Sequence, residues 1–161
     1  DTESVEYIKS SFKIHNPNII KQDFLKYNLK DVLSQTSKNL IIGNFPYNIS
    51  SQIIFKILEN YLLVDNLVGM FQKEVAERII SKPNSKEYGI ISVKTQLLYD
   101  VKILFDVSPN VFFPKPRVNS SVISMTRKKN VNINFDVKLF DRLVKLSFQQ
   151  RRKKIKMINK W

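Results

Sequence analysis

The chain has 161 residues, 43% of them apolar, with no Cys and a single His, His15; a disulfide framework, a thiolate metal site and a His-cluster zinc site are therefore excluded. That length suits one domain with a real core, no apolar run approaches the roughly eighteen residues of a membrane span, and the cytoplasm is the expected compartment. A formal net charge of +13, from 27 basic and 14 acidic residues, suits a nucleic-acid partner, although a Lys-, Asn- and Ile-rich composition alone produces the same excess.

Val5, Ile8 and Phe12 fall at helical spacing and predict a short amphipathic helix. Asn18–Gln22 reads as a strand ending at Asp23, and residues 39–43 as a second short strand, apolar from Leu40, of the kind buried on both faces of a parallel sheet. Ser50 or Ser51 is placed to cap the next helix, whose core face is Ile54, Ile57, Leu58 and Tyr61. Val64–Phe71 predicts a strand, Lys73–Ser81 a helix, Pro83-Asn84-Ser85 a loop, Gly89–Leu98 a helix and Val101–Val107 a strand. Pro109, Pro114 and Pro116 stiffen an irregular segment before a last strand at Val118–Thr126. From Phe135 the period is helical again, with Phe140, Leu143, Val144 and Phe148 on one face and a basic run, Arg151–Lys160, beyond it. Residues 127–161 hold twelve Lys/Arg against Asp136 and Asp141 only, so the charge excess gathers at one end. The alternation of strand and helix implies an α/β layer architecture with a mostly parallel sheet, whose ligands bind beyond the carboxyl ends of the strands, where Asp23 and Asn44 are expected.

The most informative stretch is Asn44-Phe45-Pro46-Tyr47, directly after the apolar strand Leu40–Gly43. An adenine amine is a poor nucleophile because its lone pair is delocalised into the ring. Two acceptors for its two hydrogens favour a pyramidal nitrogen with a localised pair; the Asn44 side-chain carbonyl and the Phe45 main-chain carbonyl are candidates. Pro46 fixes the local backbone, and Tyr47 offers a face for stacking, worth about 1–3 kcal/mol per base. Catalysis would then be positioning plus electrostatics, with no strong general base. The plainer reading is a turn in which the Asn caps a helix and Pro-Tyr packs on the core. Asp23 is a candidate acceptor for a cofactor's adenine, or simply a helix cap. Phe112, in the run Phe112-Phe113-Pro114-Lys115-Pro116-Arg117, is a candidate for the other side of a base sandwich, or for ordinary core packing. Arg151, Arg152, Lys153 and Lys154 are candidates for phosphate contact, or a solvated helix face.

Read together, Gly43–Ser50, Gln72–Arg78, Asn84–Gly89 with Ser92-Val93, the Phe-x-Pro-x-Pro-x-Val-x-Ser run from Phe112, and Phe148–Lys153 resemble the KsgA-type family of small-subunit ribosomal RNA adenine dimethyltransferases, in order along nearly the whole chain. The resemblance implies a Rossmann-like class I methyltransferase fold followed by a small helical domain, here 1–128 as a partial catalytic domain and 129–161 as the beginning of the second. It implies S-adenosylmethionine as methyl donor, Asn44 to Tyr47 as the catalytic motif, Asp23 and Asn44 at the cofactor, and Tyr47 with Phe112 at the target base. The substrate it implies is a pair of adjacent adenosines near the 3' end of 16S rRNA in the 30S precursor, each methylated twice by a monomeric enzyme.

The sequence departs from that pattern in having no Gly-rich cofactor loop, its only glycines being Gly43, Gly69 and Gly89, and in carrying Phe45 where the family usually has Leu. The chain reads as a piece of a longer protein, with the acid expected at the cofactor ribose lying before Asp1. As it stands it is expected to bind S-adenosylmethionine weakly, which micromolar binding in a calorimeter would contradict. Two other readings stay open: an Erm-type 23S rRNA adenine methyltransferase, disfavoured by Tyr88-Gly89 and by Phe148–Lys153, and a non-catalytic RNA-binding ribosome assembly factor, disfavoured by the intact Asn44 and Tyr47.

Overall fold

The computed structural model describes residues 2–12, 19–129, 131 and 133–149. Its elements in chain order are α1 (Thr2–Ser11), β1 (Leu40–Asn44), α2 (Ser50–Glu59), β2 (Asn66–Gln72), α3 (Lys73–Ile80), α4 (Ile90–Leu98), β3 (Tyr99–Val107), β4 (Ser120–Arg127) and α5 (Val137–Gln149). Four strands form one sheet in the order β1-β2-β4-β3.

The core lies between this sheet and the helices. Ile54 and Ile57 from α2, Leu67 and Phe71 from β2, Ala76 and Ile79 from α3, and Ile123 and Met125 from β4 are all fully buried. Each large aliphatic or aromatic side chain so buried contributes about 2 kcal/mol of transfer free energy. The expected core face of α2 is present and widened by Ile53, with Tyr61 only partly buried against it. Tyr99 is buried at the start of β3, where its hydroxyl donates to the Val64 carbonyl at 2.8 Å, and desolvation pushes its phenol well above the usual range. Ser92 joins two helices: its hydroxyl accepts from Gly89 N–H at 3.0 Å and donates to the Arg78 carbonyl at 2.5 Å.

Several expectations are corrected. The described sheet is mixed: β1 and β2 are parallel, but β4 runs antiparallel to both β2 and β3. A parallel return needs a crossover element, usually a helix. The Pro-rich residues 108–119 supply only a loop with one 3₁₀ turn, Pro109–Val111, so β4 folds straight back on β3. No strand forms at 19–22, and Asn18 lies outside the described residues. Ile20 and Gln22 instead border an apolar cavity of about 260 Å³ with Phe24, Leu29 and Ile41, reaching β1 by side chains without a backbone ladder. The strand β1 is not buried on both faces: Leu40, Ile42 and Asn44 alternate on one face that is left open, Leu40 and Ile42 being 52% and 72% exposed, while Ile41 and Gly43 on the other are partly buried. Ser50 and Ser51 do not cap α2. Ile49 occupies the cap position, and the Ser50 hydroxyl donates back to the Pro46 carbonyl at 3.3 Å. The helix α1 forms, but none of its residues is buried. In α5 only Val144 of the predicted face is buried; the helix is held to α4 by Lys94 and Asp141 at 2.7 Å. Among the described residues no helix is long and apolar enough to cross a membrane.

Candidate active site

The site sits where β1 ends. Asn44 is the last ladder residue, opposite Met70, and the Phe45 N–H extends the pairing by donating to the Met70 carbonyl at 3.4 Å. Pro46 (φ −60°, ψ 133°) then turns the chain into a single 3₁₀ turn, Tyr47–Ile49, closed by Ile49 N–H on the Pro46 carbonyl at 3.3 Å. An extended strand followed at once by a Pro-initiated turn leaves Asn44 at the sheet's edge with its side chain exposed. No hydrogen bond occupies its amide among the described residues.

Phe45 points the other way. Its ring stacks on Phe71 with centroids 5.2 Å apart and approaches Phe24 at 6.3 Å. The ring covers Gly43 and Gly69, which face each other across β1 and β2. The ring is thus committed to the core, while Phe45 as a residue is half-buried.

A cavity of about 380 Å³ is bordered by Asn44, Phe45, Pro46 and Tyr47 together with Phe112, Pro114 and Pro116. The β1 motif and the Pro-rich loop, far apart in sequence, thus share one opening. Tyr47 and Phe112 are both half-buried in its wall. The Tyr47 hydroxyl lies 2.5 Å from Ser120 Oγ, a buried group at the start of β4. The next residue, Ser121, donates to Asp106, whose carboxyl the Lys73 ammonium, 2.5 Å from it, holds below the usual carboxylate range, and Asp106 in turn raises Lys73. An exposed amide, followed by Phe45-Pro46, and two aromatic side chains bordering one opening are suited to a flat heteroaromatic group with an amino edge.

Asp23 does not border this cavity. Its Oδ1 accepts from Leu25 N–H at 2.9 Å, and its carbonyl accepts from Lys26 and Tyr27, so it caps a turn. That turn carries Phe24 to the Phe45 ring, which brings the segment beside the end of β1. Arg151, Arg152, Lys153 and Lys154 lie outside the described residues. A larger cavity of about 630 Å³ lies among α2, α3, α4 and α5, lined by both charge signs (Glu74, Arg78, Glu87) from the Gln72–Arg78 and Asn84–Gly89 stretches and by none of Asn44–Tyr47. Ser120 and Gly69 hold places in this site that their positions in the sequence do not announce. A Ser directly after the Pro-rich run was the available signal for the first; for the second the strand register had to be known.

The family model for ribosomal RNA adenine dimethylase matches residues 4–160. The protein named ribosomal RNA small subunit methyltransferase A in Flavobacterium johnsoniae is 52% identical over 156 residues, which is 97% of this chain and 59% of that protein. The protein of the same name in Bacteroides fragilis is 49% identical over the same share of this chain and 57% of its own length. Among solved structures, a dimethyladenosine transferase from Plasmodium falciparum superposes with a TM-score of 0.84 at 25% identity, over 98% of this chain and 56% of that one. The 23S rRNA methyltransferase ErmE, at 20% identity and a TM-score of 0.73 over 100% of this chain and 64% of that one, shares the fold. The chain thus spans somewhat over half the length of the curated relatives it matches.

Proposed function

The chain belongs to the ribosomal RNA adenine dimethylase family, and we propose that the whole protein transfers methyl groups from S-adenosylmethionine to the amines of two adjacent adenosines near the 3' end of 16S rRNA, each twice, during maturation of the small ribosomal subunit. The observation that carries this reading is the single cavity bordered by Asn44–Tyr47 and Phe112. The relatives named for small-subunit rRNA support the choice of subunit.

In this reading the target adenine leaves its stack and enters the slot between Tyr47 and Phe112. The Asn44 side-chain oxygen and the Phe45 carbonyl each accept one amine hydrogen, which localises the nitrogen lone pair toward the incoming carbon. Pro46 keeps those two acceptors in fixed relation. S-adenosylmethionine, when bound, supplies an electrophilic methyl on a sulfonium. With its hydrogens accepted by Asn44 and Phe45, the amine nitrogen would present its lone pair to that methyl, the sulfonium serving as the leaving group, and the surplus amine proton would pass to water. The residues present fit the adenine end of that donor: the exposed Asp23 carboxylate, with Oδ2 outside its turn hydrogen bond, suits an exocyclic amine, and the exposed Asn44 would meet the donor's methyl-bearing end. Arg151, Arg152, Lys153 and Lys154 are proposed to meet rRNA phosphates, residues 1–128 to belong to the catalytic domain and 129–161 to begin the helical one.

The test uses the full-length protein, methyl-labelled S-adenosylmethionine and separated ribosomal subunits. Dimethyladenosine should form in small-subunit particles and disappear with Asn44→Ala. Undiminished product from that variant, or label confined to the large subunit, overturns the reading.

A further inference from the structure

One buried hydroxyl outside the motif is aimed at the site. Ser120 has no exposed surface, and its Oγ stands 2.5 Å from Tyr47 Oη. Its own position is fixed from several sides. The carbonyl of Asn119 accepts from Lys73 N–H at 2.9 Å, Ser121 donates to Asp106 Oδ1 at 2.6 Å, and Ser120 is in register with Gln72 on β2 and Val107 on β3. Tyr47, by contrast, is half-exposed at the rim of an open cavity. An aromatic side chain in that setting is free to sample more than one staggered rotamer unless its far end is held.

We propose that Ser120 is a positioning residue for methyl transfer: by holding the Tyr47 hydroxyl it fixes the ring plane on which the target adenine stacks, and it matters most for the second methyl. This rests on the proposed role of the Asn44–Tyr47 motif. An unmodified amine gives one hydrogen to each of two acceptors. A monomethylated amine has a single hydrogen left, so one anchoring hydrogen bond is gone and the stacked ring carries more of the orientation. A ring free to tilt therefore slows the second transfer more than the first.

The experiment compares Ser120→Ala, Tyr47→Phe and the double variant in the full-length protein, counting monomethyl- and dimethyladenosine separately in small-subunit rRNA over time. Each single variant should slow the second transfer about fivefold more than the first, the rate equivalent of one modest hydrogen bond, so that monomethyladenosine accumulates. The double variant should be no slower than either single one, because both remove the same hydrogen bond. An unchanged ratio of the two products in Tyr47→Phe, which leaves β4 untouched, overturns the inference even if Ser120→Ala folds poorly. Multiplying effects in the double variant overturn it too. Asn44→Ala is run alongside: if it abolishes transfer while the ratios stay as in the parent, only the role of Ser120 fails, and if it retains transfer the reading of the motif fails with it.

Discussion

Gly43 and Gly69 stand opposite each other across the parallel β1–β2 pair, and the ring of Phe45 occupies the space their absent side chains leave. A Cβ on Gly69 would lie 2.5 Å from Phe45 Cε2 and 2.9 Å from the Phe71 ring; one on Gly43 would lie 2.6 Å from Phe45. The ring has no retreat, since Phe71 backs it with centroids 5.2 Å apart. Gly69→Ala is therefore expected to cost about 1–3 kcal/mol by overpacking, and to lower methyl transfer because the Phe45 main chain moves with its ring. Phe45→Leu in that background should recover part of the loss. Urea unfolding of the three proteins checks this, and a Gly69→Ala protein as stable as its parent refutes it.

Phe112 reaches the cavity from a loop rather than from a strand, so its contribution is separable from that of the motif. Phe112→Ala should lower kcat/KM for rRNA about thirtyfold, in the middle of the range that base–aromatic stacking covers, while Phe112→Trp retains most of it. Equal losses in both variants would mean that the ring packs the loop instead of the base.

What the sequence made visible follows from what is local. The periods of α4 and β2 were readable because their buried faces repeat every third to fourth or every second residue, and Asn44-Phe45-Pro46-Tyr47 was readable because its chemistry is contiguous. The pairing of Gly43 with Gly69 was not, because a glycine shows nothing until register places it. The same holds for β1, whose apolar run suggested burial on both faces although Ile42 is 72% exposed on the open one. Apolar composition reports a preference, whereas exposure is decided by which neighbours are there. The shared border of Tyr47 and Phe112 needed β4 to return antiparallel beside β2, which the Pro-rich loop imposes and strand–helix counting did not foresee.

Thr95 is fully buried in α4, and its hydroxyl is without a hydrogen-bond partner among the described residues. A buried hydroxyl that makes no hydrogen bond carries a desolvation cost with no return. Thr95→Val keeps the branched shape and removes that group, so it should raise stability by about 1 kcal/mol in urea unfolding with no change in methyl transfer. A loss of stability would show that the hydroxyl is satisfied in solution.

The basic run beyond α5 makes a different kind of prediction, because phosphate contacts reveal themselves through salt. If Arg151, Arg152, Lys153 and Lys154 each meet one rRNA phosphate, replacing all four by Gln should flatten the log–log dependence of RNA affinity on salt by about 3. Filter binding across a range of KCl measures the slope directly, and an unchanged slope removes these four residues from the interface.

Asp65 gives the fold a pH dependence of known sign. Its Oδ2 accepts from Asn39 N–H at 2.9 Å, its Oδ1 pairs with Arg127, and its carbonyl accepts from Arg127 N–H at 2.8 Å, so one residue joins the entry of β1 to the end of β4. The Asn39 amide first, then the Arg127 guanidinium, hold its carboxyl below the usual carboxylate range. A group whose folded-state pKa is depressed stabilises the fold above its unfolded pKa and loses that contribution as pH falls through the folded value. The pair is partly open to solvent, which limits it to about 1 kcal/mol at neutral pH. Asp65→Asn should accordingly cost about that much at pH 7, and the gap to the parent should close as the solution is acidified past the carboxylate range. Unfolding free energies measured at both ends decide it, because a gap independent of pH would mean that Asp65 acts through packing rather than charge.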